Sequence, residues 1–392
     1  MHTAHTPASN WQKELQSSAR DLRGLIERLQ RLHDVTESDI MSTPWAERIA
    51  VALKNESQLQ SRFRFAVTDS YLRRARLDHD RCAILGQVLP DPTELDDPVF
   101  ELDDPLAEES HMPVPGLTHR YPDRVLWYLS HNCAVYCRFC MRKRKVSKAG
   151  TAPAGDQIAQ ALAYICEHSE LHEVILSGGD PLSLSDATLD EIFGALKGID
   201  HIISVRIHSR MPVTLPARIT EELIQVLRRH SPLTLVTHFN HAQELGEDSL
   251  EAIRRLRSAG ILLLNQSVLL KGINDTQEDL RELFLSLIKN GVKPYYLHQC
   301  DEVRGVSQFR VPIERGIELM KGLRGRIPGI ALPLYVVDLP GGGGKVPADS
   351  SYLRRADAEG YVYENYEGHA YVLAPTYESS HQWTLPLNGA DR

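Results

Sequence analysis

The run Val125-Leu-Trp-Tyr-Leu-Ser130-His-Asn-Cys133-Ala-Val-Tyr-Cys137-Arg-Phe-Cys140 decides the fold class. Its first six residues read as a buried strand, and three thiols then fall within eight residues. Outward from this run the same order repeats. β-rich runs at Glu173–Ser177, Ile203–His208, Leu233–His238, Ile261–Ser267 and Pro294–Gln299 follow one another along the chain. Between them lie amphipathic stretches at Gln157–Glu167, Leu189–Leu196, Glu221–Arg229, Ser249–Ala259 and Asp279–Asn290. A repeated strand-then-helix order argues for parallel strands joined by right-handed crossovers. Six such units favour an α/β barrel or partial barrel over a doubly wound sheet.

The flanks differ from this middle part. Ala19, Leu22, Leu25, Ile26, Leu29 and Leu32 recur at helical spacing, and Ile49, Val51, Leu53 and Phe65 suggest one or two more helices. Asp91–Pro105 is acidic and contains proline, which predicts a surface linker. A further strand, Leu332–Asp338, runs into Pro340 and four glycines; Tyr352–Tyr377 then holds short aromatic β-like pieces, and Leu385–Arg392 reads as a disordered tail. The expected division is a helical N-terminal region over 1–110, the barrel over 111–340, and a glycine-rich lysine loop with a short C-terminal region over 341–392.

Composition sets the outer bounds. The 392 residues are 42% apolar and 24% charged, which excludes a collagen, a long coiled coil and a wholly disordered chain. Asp and Glu number 52 against 44 Lys and Arg, a net charge of −8, so nucleic acid is not an expected partner. No apolar run approaches the roughly 18 residues of a membrane helix, and the polar start shows no signal peptide. Six cysteines are too few for a disulfide scaffold of this length, and three of them cluster, so a metal site in the reducing cytoplasm is expected.

Four groups of residues carry chemistry. Cys133, Cys137 and Cys140 can hold three corners of a cuboidal iron–sulfur cluster and leave one iron open for substrate or cofactor. A structural zinc would need a fourth ligand, for which His131 is the candidate; three buried packing cysteines are the bland alternative. Ser177-Gly178-Gly179-Asp180 follows the second strand, where glycines permit a close backbone approach to a ligand, although an ordinary strand-to-helix turn looks the same. Gly341 to Lys345 is not a nucleotide P-loop, because Leu339 stands where the first glycine should be and Val346 where Ser or Thr should be. A lysine on a glycine arm instead suits a Schiff base with pyridoxal phosphate; a solvated loop lysine is the alternative. Arg120, Tyr121 and Arg124 suit a phosphate and an aromatic ring, and Arg142-Lys143-Arg144 forms a basic patch that suits a carboxylate, though solvated charge explains most such patches.

With Phe139 just before the third cysteine, the motif resembles the radical SAM enzymes. That resemblance implies S-adenosylmethionine (SAM) on the open iron of a 4Fe–4S cluster, and a partial (β/α)6 barrel. The wider pattern resembles the lysine 2,3-aminomutase family, in LTHRYPDRVL at 117–126, the cysteine motif, SGGDPL at 177–182, THFNH at 237–241, NQSVLLKGIND at 265–275, QCD at 299–301 and VVDLPGGGGK at 336–345. The resemblance implies an isomerase that converts L-lysine to β-lysine, with Lys345 carrying pyridoxal phosphate and Arg120, Tyr121 and Arg124 around it. It implies SAM beside Ser177, Gly178, Gly179, Asp180, His238 and Gln266. Arg142 would hold the substrate carboxylate, and Asp301 and Asp338 its distal ammonium.

Glutamate-specific relatives replace these acidic partners, so the aspartate pair points to a cationic substrate. Arginine, or a lysine on elongation factor P, are the alternatives within the class, and a non-catalytic iron–sulfur or zinc module is the alternative outside it. An external one-electron reductant such as flavodoxin or ferredoxin and a homo-oligomeric assembly are expected. Clostridial members carry a structural zinc, but Thr276 stands at one of its ligand positions and no cysteine lies beyond Cys300, so that zinc is not expected. Arg304 beside the distal pocket departs from the family pattern, and Cys82, Cys166 and Cys300 are expected to pack.

Overall fold

The computed structural model describes residues 9–96, 98–99, 101–146, 155–349, 351–357 and 360–373. Nine strands form one sheet in simple sequence order. They are β1 (Leu117–Tyr121), β2 (Arg124–Ser130), β3 (Glu173–Gly178), β4 (Ser204–His208), β5 (Thr234–Thr237), β6 (Leu262–Val268), β7 (Lys293–His298), β8 (Leu334–Leu339) and β9 (Gly344–Pro347). From β2 to β8 every neighbouring pair is parallel, while β1 and β9 run antiparallel on the two edges. Among the described residues β1 and β9 form no ladder with each other. Their edges nevertheless meet, because the Lys345 N–H on β9 donates to the Tyr121 hydroxyl on β1 at 2.8 Å. The sheet is therefore a curled, unclosed barrel, the α/β partial barrel that the strand-then-helix order predicts.

The crossovers follow the amphipathic stretches. Helices occupy Gly155–Glu167, Asp186–Lys197, Glu221–Arg229, Glu247–Ser258, Gln277–Lys289 and Ile313–Leu323. Local chemistry starts several of them. The hydroxyls of Ser185, Thr220 and Thr276 accept the backbone N–H groups of Thr188, Leu223 and Asp279, and each such cap contributes about 1 kcal/mol. Thr276, at the position where the family resemblance has a zinc ligand, thus begins a helix here. One hydrophobic core runs through the barrel into the N-terminal helices Leu22–His33 and Ala46–Arg62, joining Leu25, Leu29 and Ile49 to Leu176, Leu235 and Phe284.

Three sequence expectations need correction. Asp91–Pro105 is only in part a surface linker: Val99 is 99% exposed, but Glu94 is 0% and Glu101 2% exposed. Glu94 accepts hydrogen bonds from Arg138 Nε at 2.9 Å and Lys143 Nζ at 3.0 Å, so its charge is buried because two cations of the cysteine loop meet it there. The same contacts remove Lys143 from the solvated basic patch. The Arg120 segment is a strand rather than a loop, since Pro122 and Asp123 turn β1 back along β2 with Tyr121 opposite Arg124. Lys345 lies on an edge strand rather than a loose arm, with Asp338 directly opposite it. Beyond it, Leu353–Asp357, Gly360–Glu364 and Ala370–Leu373 form an antiparallel sheet, where short aromatic strands were expected. The predicted tail Leu385–Arg392 lies outside the described residues.

Candidate active site

A cavity of about 650 Å³ fills the barrel. Its walls include the C-terminal ends of the parallel strands, where barrel enzymes place their chemistry. It also reaches Glu173, Thr234 and Leu262 at the opposite strand ends, so it runs along the barrel interior. The residues given a site role by the family resemblance all line it, namely Cys133, Cys137, Cys140, Arg120, Tyr121, Arg124, Ser177, Gly178, Gly179, Asp180, His238, Gln266, Arg142, Asp301, Asp338 and Lys345, whereas His131, Lys143 and Arg144 do not.

The three thiols form one end. They come from the loop that leaves β2, fixed by the Arg138 N–H donating to the Gln87 carbonyl and by the buried Glu94 contacts. Burial pushes the Cys133 thiol well up and the Cys140 thiol to about 11, with neighbouring thiols adding to both. Binding as thiolates therefore demands positive charge close by. Arg210 supplies some, with Nη1 2.6 Å from Cys137 Sγ and the rest of its guanidinium held by Glu244 and Gln87. Among the described residues no three His, Cys, Asp or Glu side chains converge as they would on a single metal ion. The thiols instead share a cavity wall.

Gly178 and Gly179 do permit a close backbone approach, and what comes close is the chain itself. A Cβ on Gly178, whose φ is +122°, would stand 2.5 Å from the Ser130 carbonyl, and one on Gly179 2.6 Å from that of Asn132. The glycines thus seat the cysteine loop on β3. Asp180 is likewise committed to the protein: its carboxylate accepts from the Ser209 hydroxyl at 2.8 Å and from the backbone N–H groups of Leu182, Arg210 and Met211. Burial raises its pKa to about 6 despite these bonds. His238 is half-buried beside Phe139, with ring centres 5.6 Å apart, and its buried Nε2 has no hydrogen-bond partner among the described residues.

The other end centres on Lys345. Its ammonium donates to Asp338 Oδ2 and lies 3.3 Å from His298 Nδ1. Arg120 Nη2 stands 3.6 Å from the other Asp338 oxygen, and Arg124 stacks on Tyr121 at 3.8 Å. Burial works to raise the Asp338 pKa, but His298 and the Lys345 ammonium more than offset it and hold the carboxyl below its usual value. Asp301 behaves oppositely: burial, then the Asp338 charge, lift it to about 7. Burial, aided by Lys345, lowers His298, which is therefore neutral at pH 7. Arg142 donates to Glu108 through Nε at 3.0 Å and Nη2 at 2.6 Å. Arg304 pairs with Asp103 at 3.2 Å and does not line the cavity. Cys82 and Cys300 are buried as expected, whereas Cys166 is exposed.

Sequence reasoning missed Arg206, His208, Tyr296 and His298, all of which line the cavity. A signal existed, for Arg206 and His208 on β4 and Tyr296 and His298 on β7 alternate with apolar Ile207 and Leu297. Arg210 and Glu108 gave no local signal, because their partners lie 73 and 34 residues away in the chain.

A parallel barrel with three thiols from one loop at the C-terminal strand ends defines the radical SAM class, and the model of the radical SAM superfamily matches residues 127–284. A second model, lysine-2,3-aminomutase, matches residues 320–382. The L-lysine 2,3-aminomutase of Methanococcus maripaludis is 46% identical over 269 residues, covering 69% of this chain and 62% of that protein. That of Fusobacterium nucleatum is 44% identical over 305 residues, 78% of this chain and 72% of that protein. The glutamate 2,3-aminomutase of Clostridioides difficile is 36% identical over 340 residues, 85% of this chain and 79% of that protein. The chain belongs to the lysine 2,3-aminomutase family of radical SAM proteins. It spans a little under two-thirds of the methanococcal relative, at 62%. No helix among the described residues is long and apolar enough to cross a membrane.

Proposed function

We propose that this protein moves an amino group between C2 and C3 of a free basic amino acid, converting L-lysine to β-lysine. The observation that carries the reading is the seat of the Lys345 ammonium: a lysyl side chain already rests against Asp338, with half-buried Asp301 on the same cavity wall. The surroundings suit a cationic tail, since an ammonium buried without opposite charge is costly. They are hostile to the distal carboxylate of glutamate, which would meet two acidic groups. Nothing at the cavity favours arginine, because Arg304 is engaged with Asp103 outside it.

The residues also suit three cofactors. Soft thiols spread along one cavity wall fit a 4Fe–4S cluster better than a lone zinc ion. The Nε2 of half-buried His238, without a partner among the described residues, and Gln266 lining the same cavity offer polar contacts to SAM. Arg120 and Arg124 flanking Tyr121 offer a phosphate site beside Lys345, the lysine for pyridoxal phosphate. When bound, the cluster and SAM supply a hydrogen-abstracting radical, and pyridoxal phosphate supplies the carbonyl that carries the migrating nitrogen.

The chain's own contribution is positioning and water exclusion. Neutral His298, 3.3 Å away, stands ready to take the proton that Lys345 must shed to become a nucleophile. Once Lys345 is neutral, Asp338 and Asp301 are available to the distal ammonium of a substrate. Arg142 holds its carboxylate, so the two ends of the amino acid are fixed and its β-carbon is directed toward the SAM side. Apolar walls from Leu264, Val268 and Phe139 exclude water from that gap. An external one-electron reductant such as flavodoxin or ferredoxin serves the cluster, and the enzyme acts as a homo-oligomer. The test is an anaerobic assay of the reconstituted protein with lysine, arginine, ornithine and glutamate. Lysine should be turned over best; preferential turnover of glutamate would overturn the reading.

A further inference from the structure

Arg142 does not meet the cavity alone. Its guanidinium has five N–H donors, and all its hydrogen bonds to the described residues run to one carboxylate. Nε stands 3.0 and 3.3 Å from the two Glu108 oxygens, and Nη2 stands 2.6 Å from Oε1. Nη1 donates to no described residue. The Nε edge of the fork is thus closed by Glu108, and the Nη1–Nη2 edge is left for a second carboxylate. Glu108 is itself buried, at 5% exposure. Burial works to raise its pKa, but Arg142 more than offsets this, so it is ionised and acceptor-only.

Glu108 sits on a segment fixed from both sides. Its backbone N–H donates to Asp104 Oδ1 at 3.1 Å, and Asp104 pairs with Arg144 at 3.0 Å on the helix after the cysteine loop. Ala107 adopts a left-handed φ of 52°, which turns the chain at the residue before it. On the other side the Pro105 carbonyl accepts from the Gly341 N–H at 2.9 Å, in the glycine loop that leads to Lys345. The segment therefore ties the Arg142 side of the cavity to the Lys345 side.

A held arginine matters here because Asp301 lies within reach of the Arg142 charge. Left to itself, a long cationic side chain would pair with Asp301 and fill the place of the substrate's ammonium. We propose that Glu108 is a positioning residue: it fixes Arg142 as the carboxylate anchor and keeps it out of the ammonium subsite, so that only an amino acid with both a free carboxylate and a cationic tail is seated. This rests on the reading of Arg142 given above.

The test is calorimetric binding to the reconstituted holoenzyme without reductant, so that no turnover intervenes. L-Lysine is compared with L-lysinamide, which lacks the carboxylate. The parent should prefer lysine by roughly 10- to 100-fold, the range of a charge-assisted carboxylate contact. In Glu108→Ala and Glu108→Gln that preference should fall to within about threefold, both ligands should bind more weakly because the released Arg142 enters the ammonium subsite, and the cofactor content should be retained. Glu108→Gln and Glu108→Asp keep the side chain's bulk or charge, so they carry the test if the alanine variant does not fold; Glu108→Asp should restore part of the preference. If the parent discriminates and the variants keep the same ratio, the role of Glu108 is refuted while Arg142 stands. If the variants gain preference for lysine, Glu108 is a competitor of the substrate and the proposal falls. If the parent binds both ligands alike, the carboxylate site at Arg142 is itself wrong.

Discussion

Asp301→Asn should separate the cost of a buried carboxylate from its use. Burial and the Asp338 charge place the Asp301 pKa at about 7 in the absence of substrate. Binding a cationic tail requires the ionised form, so below pH 7 lysine must expel a proton from Asp301 in order to bind. The ionised fraction falls from roughly nine-tenths at pH 8 to roughly one-tenth at pH 6, which weakens lysine binding about tenfold over that range. Burial holds His208 and His238 well below their usual value, so they stay neutral between these values and do not mask the effect. Calorimetric titration of the holoenzyme with lysine at pH 6, 7 and 8 measures it. The parent should show the tenfold slope; Asp301→Asn should bind lysine more weakly at pH 8 and with no slope. Stability must move the other way. A carboxyl whose folded pKa is raised costs nothing below its unfolded value, and its cost grows as pH climbs to the folded value and then levels off. The gap from 3.8 to about 7 corresponds to roughly 4 kcal/mol above pH 7. The ligand-free asparagine variant should therefore melt at least about 2 °C higher at pH 8, with little change at pH 4. A parent without the slope, or a variant that keeps it, refutes Asp301 as the ammonium partner.

The remaining expectations are more direct. Replacing Cys133, Cys137 or Cys140 by Ala should abolish iron retention and deoxyadenosine formation while pyridoxal phosphate binding persists; three variants that kept iron and cleaved SAM would end the cluster assignment. Lys345→Ala should leave no pyridoxylated peptide from the 341–347 region after borohydride reduction, and label recovered on Lys271 in the parent would displace the assignment. Glu94→Ala strips the carboxylate from buried Arg138 and Lys143, so it should cost about 3–5 kcal/mol in denaturant unfolding and lower cluster occupancy. A near-neutral unfolding result would mean that water reaches this triad.

The sequence by itself determined the order of elements and the chemistry of the short motifs. Strand and helix periodicity is a local property, so the repeated units from Val125 to Gln299 were legible, as was the helix Glu221–Arg229 to the residue. Cys133, Cys137 and Cys140 share one loop, so their proximity followed from spacing, whereas Asp338 meets Lys345 only because β9 turns back along β8. Only the tertiary structure decided which charges face one another across the barrel. Curling the sheet brings β1 against β9 and sets Tyr121 under Lys345, 224 residues away. It packs part of the acidic 91–105 segment inward, because Glu94 there meets Arg138 of the cysteine loop and Lys143 just after it. Composition marked that segment as solvated, since an isolated carboxylate is; burial became favourable only once the fold delivered its partners. The same long-range geometry separates two aspartates of identical chemistry, holding Asp338 low beside an ammonium and lifting Asp301 to about 7 in its shadow.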